Sequence, residues 1–106
     1  MPRSKKFKEL LQKRLKDPRE AKAYLNAILE EYSEDDAESK KLLLLALKDI
    51  AEAQGGISQL AKKTGLGRES LYKTLSSRGN PKLSTLSAVL HSMGFTLSVT
   101  DQSLKR

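Results

Sequence analysis

Across residues 4–15, Phe7, Leu10, Leu11 and Leu15 recur at helical spacing with Lys and Arg between them. The pattern predicts a short amphipathic helix, or a basic arm that orders only on a partner. A firmer helix start follows at Asp17-Pro18-Arg19-Glu20. Asp17 can accept the open amides of a first turn, Pro18 suits the first helical position, and Glu20 stands where a capping-box acid belongs. Ala21, Tyr24, Leu25, Ile28 and Tyr32 then share one face of a helix that runs into an acidic stretch. Asp35 or Asp36 can cap the next helix, expected over 37–54 with Leu43, Leu47, Ile50 and Ala51 as its stripe and Gly55 as its stop. Leu42 to Leu45 are apolar all round, which predicts burial against more than one neighbour.

Beyond Gly55-Gly56 the periods shorten. Two brief helices are expected over 57–64 and 68–76, separated by Gly65-Leu66-Gly67. A polar loop with the turn signal Gly79-Asn80-Pro81 leads to a helix over 83–93, which Gly94 stops. Phe95 to Thr100 alternates apolar and polar residues, which predicts one half-buried strand. The domain reading is a basic arm or short helix over 1–16, a main domain over 17–100 with a motif at 57–76, and a polar tail over 101–106.

Length and composition narrow the function classes. The chain has 106 residues, enough for one domain, of which 31% are charged and 38% hydrophobic. It has no cysteine and a single histidine, His91, so thiolate and multi-histidine metal sites are excluded, and no metal or other cofactor is expected. Neither a membrane span nor a signal peptide is legible, and a cytoplasmic placement is the simplest. Asp49 and Glu52 share a helix face three residues apart, but no nucleophile or second acid accompanies them, and Ser70 lacks a base; no enzyme is expected.

The net charge of +7 is unevenly spread. Residues 1–16 hold seven basic side chains against one acid, residues 17–39 two against eight, and residues 55–82 six against one. Basic blocks suit a polyanion, most often nucleic acid, and an acidic block suits a basic protein; a merely solvated surface is the plain alternative.

The second basic block coincides with the two short helices, the layout of a helix-turn-helix. Ala61 is small where the helices would cross, Gly65 allows the sharp turn, and Leu66, Leu71 and Leu75 would pin the second helix. Its outward face then offers Arg68, Ser70, Tyr72 and Lys73 for base edges in double-stranded DNA, with Lys62, Lys63, Arg78 and Lys82 as phosphate contacts. A plain helical hairpin would share the same pattern.

Residues 57–82, ISQLAKKTGLGRESLYKTLSSRGNPK, resemble the helix-turn-helix of Cro- and phage-repressor-type proteins. Together with LKDPREAKAYLNAILEE, they make residues 15–100 similar to the addiction-module antidotes, HigA-like antitoxins that partner RelE/HigB-type toxins. The resemblance implies an all-α fold, a five-helix repressor-like core with an N-terminal helical extension and one short C-terminal strand. It also implies a double role: neutralising an mRNA-cleaving toxin and repressing the shared operon at its operator. Gly67 departs from the pattern, since such turns usually carry Ser or Thr there. Because such toxins grip RNA and are basic, Glu30, Glu31, Glu34 and Asp35 are toxin-contact candidates, with the basic arm as their rival. A two-fold homodimer is expected, with Leu86, Leu90, Met93, Phe95, Leu97 and Val99 as interface candidates. The alternatives are a free-standing phage-type repressor without a toxin partner, and an interaction protein whose basic surface is incidental.

Overall fold

Three long helices begin where a side chain closes their first turn. In the computed structural model, which describes residues 3–101, Ser4 Oγ accepts the Phe7 amide at 3.0 Å, Asp17 Oδ1 the Arg19 amide at 2.9 Å, and Asp36 Oδ1 the Glu38 amide at 3.0 Å. The Arg19 amide also holds the Asp17 carboxyl below its ordinary range. The helices that result are α1 (Lys5–Leu15), α2 (Pro18–Glu30) and α3 (Ala37–Ala53). Three shorter ones follow: α4 (Gly56–Thr64), α5 (Arg68–Thr74) and α6 (Leu83–Ser92). None of the helices is long and apolar enough to cross a membrane.

Helix α3 is the hub. It packs against α1, α2 and α4, and α4 in turn carries α5 and α6. Leu44, Leu47 and Ile50 of α3 are fully buried together with Leu15, Leu71 and Val89, so one core draws on α1, α3, α5 and α6. Each such side chain contributes about 1.5–3 kcal/mol by leaving water.

The N-terminal basic segment is a helix, and one buried carboxylate fixes it. Asp49 lies on α3 with its side chain only 5% exposed. The Arg3 guanidinium grips it with both terminal nitrogens, each at 3.0 Å, and the Tyr24 hydroxyl of α2 donates to Oδ2 at 2.9 Å. The guanidinium also lies 5.8 Å from the centre of the Phe7 ring. Burial, reinforced by the bond to Asp49, pushes the Tyr24 phenol up to about 12. Further along α1, Gln12 Nε2 donates to Glu52 Oε1 at 3.1 Å. Asp49 and Glu52 thus serve as anchor points for α1.

Two expectations are corrected. Residues 95–100 form no strand, and no described residue is in one. Alternation supplies a pattern of faces, but a strand needs a neighbour to complete its ladder, and no described segment supplies one. The Leu42–Leu45 run is not buried all round either: Leu44 is enclosed and Leu43 partly so, while Leu42 and Leu45 are exposed. The neighbours of α3 leave one side of its first half uncovered. The buried stripe accordingly runs through Leu44 and Ala46 rather than starting from Leu43.

Replacing Arg3 by Ala would leave Asp49 buried with only the Tyr24 hydroxyl. Breaking one side of a buried pair costs roughly 3–5 kcal/mol, and the remaining hydrogen bond puts this case at the lower end. Urea unfolding of R3A against the parent should show that loss. An unchanged midpoint would mean that the pair does not hold the fold.

Candidate functional site

The chain between α4 and α5 turns within three residues, and the sequence dictates how. Gly65 takes a φ of 77°, open to glycine at little cost, and its N–H closes α4 on the Ala61 carbonyl at 2.9 Å. Thr64 fastens the turn from both sides: its hydroxyl donates to the Leu60 carbonyl at 2.8 Å and accepts the Leu66 amide at 3.2 Å. Gly67 precedes α5 in an extended conformation and offers no side-chain cap. A side chain at Gly67 would meet only ordinary contact with Ser70, so nothing steric requires glycine there.

Leu71 and Leu75 are buried, and Ala61 and Leu66 pack partly buried against the same core. That fixes the rotation of α5. Arg68, Glu69, Ser70, Tyr72 and Lys73 consequently lie exposed. Lys62 and Lys63 are exposed in the last turn of α4, and Arg78 and Lys82 in the loop between α5 and α6. None of the six cations among these residues is ion-paired with a described residue. The result is a positive surface whose charge is not neutralised within the fold.

The loop after α5 is held by backbone and by α3. Ser76 Oγ donates to the Lys73 carbonyl at 2.7 Å, and the Gly79 N–H donates to the Ser76 carbonyl at 2.8 Å. Gly79 is buried against the end of α5, where a Cβ would run into the Thr74 carbonyl oxygen. Next to it, Asn80 Oδ1 accepts from Lys40 Nζ of α3 at 3.0 Å. Sequence reasoning takes Gly79 for a turn residue and misses this closer requirement, which no local pattern signals.

The acidic candidates Glu30, Glu31, Glu34 and Asp35 are all exposed around the α2–α3 connection, where the Tyr32 hydroxyl donates to Glu34 Oε2 at 3.4 Å. The proposed interface residues divide. Leu90 and Met93 are spent on the core of the single chain, Leu86 and Phe95 are partly buried against it, and Leu97 and Val99 stay exposed. Leu90 and Met93 are therefore not available to a second copy.

The model of a family described as "probable addiction module antidote protein" matches residues 5–101. The match takes in α1, which lies outside the sequence resemblance over 15–100. A protein of Haemophilus influenzae described only as "uncharacterized protein" is 40% identical over 80 residues, covering 76% of this chain and 75% of its own length. No solved structure gives a significant match.

Replacing Gly79 by Ala should destabilise the protein by about 1–3 kcal/mol, the usual range for overpacking, because the obstructing atom belongs to the backbone. Thermal unfolding of G79A checks this; a midpoint equal to that of the parent would show that the loop yields freely.

Proposed function

The chain belongs to the family of addiction module antidote proteins, and from that premise we propose that it is the antitoxin of a type II toxin–antitoxin module. In this reading it binds and neutralises a RelE/HigB-type mRNA-cleaving toxin in the cytoplasm. As a two-fold dimer it also represses its own operon by binding operator DNA. It acts by binding and performs no catalytic step.

The observation that carries the operator half is the rotation of α5. With Leu71 and Leu75 in the core, Arg68, Ser70, Tyr72 and Lys73 are left exposed along α5, which in this reading is the second helix of a helix-turn-helix. Arg and Lys can fork a guanine, and Ser and Tyr supply shorter-range donors and acceptors. Lys62, Lys63, Arg78 and Lys82 flank them as phosphate contacts, adding affinity without sequence choice. One such motif reads few base pairs, so two copies on adjacent half-sites fit the task.

The acidic connection between α2 and α3 supports the toxin half. A protein that grips RNA presents cations, and Glu30, Glu31, Glu34 and Asp35 face solvent as a complementary cluster. The basic face of α1 is the competing site.

Two measurements test the reading. In a salt series on operator and random DNA, R68A should lose roughly 1–3 kcal/mol on the operator and relax the preference for one base. Replacing Lys62 or Arg78 by Ala should instead weaken both DNAs alike and flatten the salt slope by about one. Unchanged operator affinity and base preference in R68A would remove α5 from base readout. For the toxin, a variant carrying Gln at Glu30, Glu31 and Glu34 and Asn at Asp35 should rescue toxin-arrested growth less well than the parent. Full rescue would shift the contact away from this cluster.

A further inference from the structure

Between Glu52 and Asp101 the chain holds a single acid, Glu69, among six Lys and Arg side chains. It stands exposed in the first turn of α5, directly after Arg68. No described residue forms an ion pair with it, although Lys73 lies one helical turn on, at the spacing and in the order that suit such a pair. An acid in a first turn can serve a helix by meeting its open amides. This fold makes no such demand: α4 and α6 also begin without a side-chain cap, and neither has an acid in its first turn. On a surface that only attracted phosphate, the carboxylate would repel the ligand.

The rotation of α5 aims this carboxylate outward. At about 100° per residue, Lys73 lies roughly 180° and Glu69 roughly 140° round the helix from the midline of the buried Leu71 and Leu75. No other residue of α5 stands so far from the core. Four residues apart, the two side chains are also neighbours on the helix surface.

We propose that Glu69 is a specificity-determining residue of the operator contact, its carboxylate accepting from the N4 amino group of a cytosine in the major groove. Lys73 beside it donates to O6 or N7 of the guanine in the same pair. The chemistry selects that base. An ionised carboxylate can only accept, and the major groove offers donors at cytosine N4 and adenine N6 alone. Adenine sets its N7 acceptor beside the amino group, where it repels a carboxylate oxygen; cytosine has no acceptor there. The guanine acceptors of the same pair suit an ammonium. This role rests on operator binding through α5 and adds which base pair is selected.

Binding selection with the full chain from a library of random DNA duplexes gives the preferred site, and each of its base pairs is then changed in turn. The parent should lose about tenfold or more in affinity when one particular cytosine–guanine pair becomes thymine–adenine. E69A should lose discrimination at that pair and keep it elsewhere. It should bind random duplexes at least as tightly as the parent, having one negative charge fewer near phosphate. E69Q should move the preference at that pair from cytosine to adenine, because a carboxamide offers adenine both a donor for N7 and an acceptor for N6. A role confined to steadying the first turn of α5 would lower the melting midpoint of both variants and move no base preference. If the parent selects a site and E69A discriminates at every pair as the parent does, the proposal is overturned and the operator reading stands. A parent that selects no sequence overturns both.

Discussion

A carboxylate shut away from water with one hydroxyl and one guanidinium decides how the first half of this molecule is assembled. Leu11 and Leu15 give α1 an apolar reason to lie on the rest of the fold, but such contacts tolerate sliding and rotation. The fork of Arg3 on Asp49 does not, because two parallel bonds at 3.0 Å admit a single approach. Tyr24 brings α2 to the same atom, so two segments far from α3 in sequence converge on one of its side chains. Such a pair adds little over an apolar substitute, and its worth lies in what its loss would leave behind.

From this anchoring the rest of the organisation follows. α1 and α2 both lie on α3, α4 packs on it as well, and α4 carries both α5 and α6. The positive surface is thereby built on the short helices, while the acids cluster at the connection that starts α3. Chain order alone separates the two charges: the same residues that cap and join helices set where each sign appears.

Much of this was legible in the sequence because it is local. Caps at Asp17 and Asp36, the glycine at position 65 and the inward leucines of α5 each act within a few residues, and the elements they define appear where the pattern puts them. What was not legible depends on partners far along the chain. Asp49 reads as one acid among leucines until Arg3 and Tyr24 are beside it. The alternation at 95–100 reads as a strand although no described segment pairs with it. Gly79 looks like an ordinary turn residue, and only the carbonyl of Thr74 explains why it is glycine. That Arg68, Ser70, Tyr72 and Lys73 are all exposed was within reach, since burying Leu71 and Leu75 leaves the rest of α5 to solvent. Periodicity reports only which positions are wet, and not what such positions bind.

The loop between α5 and α6 has a further consequence. It is fixed by the glycine backbone packed on α5 and by the reach of Lys40 to Asn80, and neither bond involves the cations the loop displays. Arg78 and Lys82 therefore project from a base that is already ordered. Were an anion to bind them, the entropy lost would be that of two side chains, about 0.5–1.5 kcal/mol each, with no backbone segment to be brought to order. A floppier loop with identical charges would surrender part of the same attraction to its own immobilisation. Preorganisation here comes from a missing Cβ.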